Sequence, residues 1–175
     1  MWATLGDYKT IRELIKSGAN VNAQDQNGLT ALMYASMWSK GNKKIVRELI
    51  TKDTNLEIKD NWGNTALRVA SAMGQLDMVK ELVKAGANIE TRDNSGRTPL
   101  FAAAERQHTD VVKYLVDIGA DINAKDESGL SAFMVSSLFS DKSMLNLMKT
   151  SKFYNYDPNN KLKFVIGWSS SILVL

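Results

Sequence analysis

The stretch Asp60–Ala70, "DNWGNTALRVA", returns thirty-three residues later as Asp93–Ala103, "DNSGRTPLFAA". The tetrapeptides "DQNG", "DNWG", "DNSG" and "DESG" begin at Asp25, Asp60, Asp93 and Asp126, with spacings of 35, 33 and 33 residues. Two residues past each glycine stands a hydroxyl: Thr30, Thr65, Thr98 and Ser131. A fixed period of this length is the signature of a stacked-repeat architecture.

Asp-x-x-Gly is a turn: the carboxylate can bond its own backbone, and the glycine supplies a positive φ. The following Thr or Ser caps a helix by accepting from a first-turn amide. Pro99 directly follows one such cap, at the first helical position, where a missing N–H costs nothing. Short helices then run through "ALMYAS", "ALRVAS", "PLFAAA" and "AFMVSS". A second helix places Met78, Val79, Leu82 and Val83, or Val111, Val112, Leu115 and Val116, on one face. Gly86 and Gly119 end these helices as left-handed caps. Neither helix can bury its apolar face alone, so adjacent units must stack.

The pattern resembles the ankyrin repeat over about 150 of the 175 residues. The "SGANVNAQD", "AGANIETRD" and "IGADINAKD" segments starting at Ser17, Ala85 and Ile118 strengthen the likeness. The family's Thr-Pro-Leu-His-x-Ala motif keeps its proline only at Pro99. Its histidine position holds Met33, Arg68, Phe101 and Met134, so the hydrogen bonds of that histidine are expected to be absent. The resemblance implies an all-α solenoid of helix-turn-helix units joined by β-hairpin-like turns. It implies a repeat domain over 1–152, with a partial unit at 1–24, units at 25–59, 60–92 and 93–125, and a last unit at 126–152.

Unit 25–59 is irregular. It carries two extra residues near "SMWSKG", and Asp53-Thr54 replaces the Gly-Ala of its neighbours, which puts Asp53 at a strained left-handed position. Residues 153–175 form a non-repeat tail. Its apolar run Phe164–Leu175 is too short to cross a bilayer, for which about 20 residues are needed. The tail is expected to fold back as a cap on the array.

Chemistry is excluded residue by residue. There is no cysteine and only one histidine, so a transition-metal site lacks a ligand set. His108 sits between two helices and reads as structural. The repeated turn aspartates lie one per unit, too far apart to form a catalytic pair, and no Gly-rich phosphate loop is present. The chain therefore reads as a non-enzyme without cofactor. Residues 1–148 hold 18 Lys/Arg and 18 Asp/Glu, so the net +3 resides in residues 149–175 and no basic stripe points to nucleic acid. The N-terminus lacks a signal-peptide pattern, and a cytoplasmic monomer is expected.

Positions that vary between units are candidates for recognition. By the resemblance, turn tips and the ends of the first helices touch protein partners. These are Trp62, Asn64, Met73, Arg97, Arg106, Leu130, Leu138 and Phe139, expected to form a partly apolar, locally basic patch. Trp38, in the insertion, is a secondary candidate. Trp62 and Arg97 are expected side by side, gripping an acidic or aromatic segment. An alternative makes the chain a fragment of a larger protein, in which the repeats target or regulate an attached effector or catalytic domain. Another anchors the last twelve residues at a membrane.

Overall fold

The computed structural model describes residues 8–37, 43–138 and 146. Among these there are eight helices: α1 (Tyr8–Lys16), α2 (Ala31–Met37), α3 (Lys43–Leu49), α4 (Ala66–Ala72), α5 (Leu76–Lys84), α6 (Pro99–Glu105), α7 (Thr109–Asp117) and α8 (Ala132–Leu138). The tail, Trp38 and Phe139 lie outside the described residues.

The helices form two rows. α2, α4, α6 and α8 pack in succession as the inner row, and α1, α3, α5 and α7 as the outer. Each inner helix also packs on the outer helix that follows it: α2 on α3, α4 on α5, α6 on α7. The sequence dictates this layering. Inner helices present small residues such as Ala70, Ala103 and Ala104, all fully buried, which lets neighbouring backbones approach. Outer helices turn Val79 and Leu82, or Val112 and Leu115, into the same core. The apolar layer between the rows is continuous along the stack, so each unit depends on its neighbours for burial.

Each inner helix starts where its hydroxyl cap predicts. Thr30, Thr65, Thr98 and Ser131 accept from the backbone N–H of Met33, Arg68, Phe101 and Met134. Pro99 occupies the first turn of α6, and Gly86 and Gly119 adopt φ of 94° and 98° after α5 and α7.

The turns project as a row of fingers stacked by backbone bonds. Asn61 N–H donates to Asn27 O, Asn94 N–H to Trp62 O, and Glu127 N–H to Ser95 O, each at 3.0 Å. Among the described residues two isolated bridges, Gln24 with Thr30 and Lys125 with Ser131, give the fingers their β character.

Asp53 departs from expectation. Among the described residues Gln107 alone is a non-glycine at positive φ, so Asp53 is not left-handed. Two threonines end α3 instead. Thr54 Oγ1 donates to Leu49 O at 2.6 Å and accepts from Thr51 N–H at 2.9 Å. The side-chain cap satisfies the free carbonyl that a glycine motif would otherwise reach through the backbone.

Candidate protein-binding surface

Each finger is built around one carboxylate oxygen. Asp60 Oδ1 accepts from the backbone of Trp62 at 2.9 Å and of Asn64 at 2.8 Å. Asp25, Asp93 and Asp126 do the same for the second and fourth residues after them. The result pins the backbone of the tip and leaves its side chains to solvent. Trp62 stands there with 58% of its surface exposed, between the exposed small polar tips Asn27 and Ser95. Its N–H and C=O are both bonded within the finger row, so the indole projects from a fixed mount.

Met73, at the C-cap of α4, is 38% exposed, and Arg106, at the C-cap of α6, is exposed. Asn64, Leu130 and Arg97 are engaged by the fold. Asn64 donates to Asp60 Oδ2 at 2.8 Å and accepts from Arg68. Leu130 is half-buried against the core. Leu138 is the last residue of α8.

Arg97 is held from three sides. Its Nη1 lies 3.2 Å from Glu105 Oε1, its Nε 3.6 Å from Asp126 Oδ2, and its guanidinium 5.2 Å over the Phe101 ring. Nε itself is buried without a hydrogen bond. Arg68 is committed in the same way to Asp93, and burial pushes its pKa down against the pull of that carboxylate. Of the two arginines expected in the patch, Arg97 is drawn to Glu105 and Asp126, and Arg106 stays exposed. Residues 60–138 in fact carry eight Lys/Arg against eleven Asp/Glu.

His108 is a strut. Its Nε2 lies 3.0 Å from Ala72 O, across the joint between units, and Gly74 leaves room for the ring. Among the described residues no group of His, Cys, Asp and Glu could hold a metal ion, and no helix is long and apolar enough to cross a membrane.

Two surface features escaped sequence reading. Ile118, 38% exposed, stands where the preceding unit has Ala85. At the N-terminal end of the array an apolar cleft of about 470 Å³ opens between α1, α2 and α3. Ile11, Leu14, Ile15, Val21, Leu29 and Leu49 line it. Their spacing is that of ordinary core residues, which carries no sign that they border a cleft.

Two rows of short antiparallel helices with stacked fingers define a helix-pair solenoid. A family model described as ankyrin repeats, in three copies, matches residues 1–93, and a single ankyrin repeat matches 95–127. The chain belongs to the ankyrin-repeat family. No curated protein matches it.

Proposed function

We propose that the array is a protein-interaction module anchored by Trp62, with Met73 and Arg106 contributing from the ends of the inner helices. The observation that carries this reading is the exposed indole on a backbone-fixed mount. Large aromatic side chains concentrate binding energy because they bury much area and lose little freedom on contact. A tip fixed before binding adds little ordering cost. Arg68 and Arg97 act in this reading as parts of the frame rather than as contacts, and the partner's complementary feature is an apolar pocket rather than an acidic segment. Recognition by shape needs no cofactor, and the module is not an enzyme.

Affinity capture from lysate with the intact chain, followed by titration calorimetry on the captured protein, tests the proposal. Trp62→Ala is expected to weaken binding by about 2 kcal/mol or more, the hot-spot range. The same change is expected to shift folding stability by under ~0.5 kcal/mol, as at other exposed sites. Unaltered affinity would move the recognition surface elsewhere. Loss of folding would make Trp62 a framework residue.

A further inference from the structure

Asn27 and Gly28 form the one Asn-Gly pair in the chain, at the tip of the finger of unit 25–59. Asparagine followed by glycine is prone to cyclise on itself, because no Cβ shields the glycine nitrogen from the neighbouring carboxamide. The fold accounts for the glycine. Gly28 has φ of 76°, and a Cβ on it would lie 2.9 Å from the backbone nitrogen of Asn61. The fold does not account for the asparagine. The equivalent tips are Trp62, Ser95 and Ser128. Asn27 is exposed, and its carboxamide has no hydrogen bond among the described residues. The carboxamides of Asn61 and Asn94, by contrast, strap finger to finger, donating to Gln26 O and Asn61 O at 3.0 Å each.

The backbone around the pair is fully bonded. Gly28 N–H donates to Asp25 O at 2.9 Å, Asn27 N–H donates to Asp25 Oδ1 at 2.8 Å, and Asn27 O accepts from Asn61 N–H at 3.0 Å. For Gly28 N to reach Asn27 Cγ it must shed its proton and leave Asp25 O. The Asn27–Gly28 peptide must also turn, which carries Asn27 O away from Asn61. We propose that Asn27 is a self-modification site gated by the finger row: it deamidates when its finger lifts from that of Trp62, and the rearranged product cannot dock there again. In the reaction Gly28 N bonds to Asn27 Cγ, and the carboxamide nitrogen leaves as ammonia with the Gly28 proton. Water then opens the cyclic imide. Attack at the side-chain carbonyl gives aspartate. Attack at the main-chain carbonyl leaves the chain running through Cγ and gives isoaspartate.

Isoaspartate puts the Cβ of residue 27 into the main chain, and the former carbonyl that received Asn61 N–H becomes a free carboxylate. The spacing by which Asp25 Oδ1 holds the backbone N–H of both Asn27 and Leu29 is then lost. Each opening that ends in cyclisation is therefore recorded permanently in the finger row. The Trp62 finger keeps its other neighbour, since Asn94 N–H still donates to Trp62 O. The chemistry needs no partner for Trp62 and stands apart from its role as an anchor.

Incubating the full chain in mildly alkaline buffer, folded and in guanidinium, tests this, with peptide mass mapping to separate aspartate from isoaspartate at each asparagine. In guanidinium Asn27 is expected to convert faster than every other asparagine. In the folded chain its conversion is expected to slow by about tenfold or more, since a factor of ten needs only about 1.4 kcal/mol of opening free energy. Asn61→Ala removes the strap to Gln26 O and is expected to raise the folded rate severalfold. Asn94→Ala removes only the next strap and is expected to leave that rate unchanged. Hydrogen exchange at the Asn61 amide is expected to be faster in the purified isoaspartate product than in Asn27→Asp, which has the same charge on an unaltered main chain. Four results each overturn the inference: no preference for Asn27 in guanidinium, equal rates folded and unfolded, a folded Asn61→Ala variant no faster than wild type, or equal exchange in the product and Asn27→Asp. Thermal melts establish that the variants fold. If Asn61→Ala does not, the wild-type rates and the Asn61 exchange decide.

Discussion

The guanidinium of Arg68 on α4 is ion-paired with Asp93 Oδ2 in the turn of the following unit, and both side chains are nearly out of solvent, at 11% and 10% exposure. The other oxygen of Asp93 accepts from the backbone of Ser95 and Arg97 at 2.9 Å each. One carboxylate thus shapes a turn and ties it to its neighbour. The motif varies along the array. Arg97 reaches Asp126 Oδ2, whereas Asp25 Oδ2 is satisfied within its own unit by the Tyr34 hydroxyl at 2.6 Å. Asp60 Oδ2 is satisfied by Asn64. The missing family histidine thus leaves no turn carboxylate unpaired.

Arg68→Met places at this position the residue that Met33 already supplies one unit earlier. Packing volume is kept, but Asp93 Oδ2 is left without its cation. Breaking a nearly buried pair on one side costs about 3 kcal/mol or more, because the remaining charge stays desolvated. A denaturant melt is expected to show a loss of that order. A loss below ~1 kcal/mol, the range of exposed pairs, would show that solvent reaches Asp93 freely.

Gly63→Ala and Gly86→Ala separate two costs that glycine hides. Gly63 has φ of 82°, and a Cβ there would sit 2.6 Å from the backbone nitrogen of Asn94, inside the finger stack. Gly86 has φ of 94° and nothing within 4 Å of its added Cβ. Both variants carry the left-handed penalty of about 1–2 kcal/mol. Only Gly63→Ala must also push adjacent fingers apart, so it is expected to be clearly the more destabilising of the two. Equal losses by denaturant melt would mean that the fingers give way easily.

The architecture was legible because each recurring element had a local cause. The Asp-x-x-Gly turn, the hydroxyl cap and the 3.6-residue spacing of the outer helices all act within a few residues, and the structure repeats them from unit to unit. The status of Arg97 was not legible. Its position after Gly96 marked it as a variable tip residue, but Asp126 of the next unit reaches it only once units stack. Pairings that depend on stacking leave no periodic mark in the sequence. Asp53 was misread for a related reason: alignment with Gly86 supplied a conformation, whereas Thr51 and Thr54 supplied a different cap. Trp62 was legible as exposed because a two-residue turn tip has no interior to hide it.

Gln107 is the one described non-glycine residue at positive φ, 60°, at the joint between α6 and α7. Gly74 occupies the same place one unit earlier, at φ of 67°. The left-handed conformation is strained for a residue with a Cβ, and the strain is relieved by glycine at some cost in unfolded-state entropy. Gln107→Gly is therefore expected to raise stability by roughly 0.5–1 kcal/mol. Denaturant midpoints at unchanged m-value would measure it. A lower midpoint would show that the Gln107 side chain contributes more than its backbone costs.

Glu81 on α5 receives Arg47 from α3 through two hydrogen bonds, Nε to Oε2 at 2.8 Å and Nη2 to Oε1 at 2.7 Å. Lys43 adds its charge at 3.5 Å. The Arg47 hydrogen bonds are the largest cause, with Lys43 assisting, of a carboxyl held down from the ordinary 4.5 to about 2. A carboxyl with a lowered folded-state pKa binds its proton more readily unfolded, so its stabilising effect is complete above pH 4.5 and is lost as pH falls toward about 2. Arg47→Ala removes the bidentate contact and leaves only Lys43. Carbon-detected titration of the Glu81 carboxyl is expected to show its pKa rising toward 4.5 in the variant. Melts of both proteins are expected to differ at neutral pH and to converge as pH falls below about 2, where the carboxyl becomes protonated in either. Arg47 is more than half exposed, so solvent and salt screen the pair and the difference is expected to shrink at high ionic strength. A Glu81 pKa unmoved by Arg47→Ala would mean that Lys43 alone sets it.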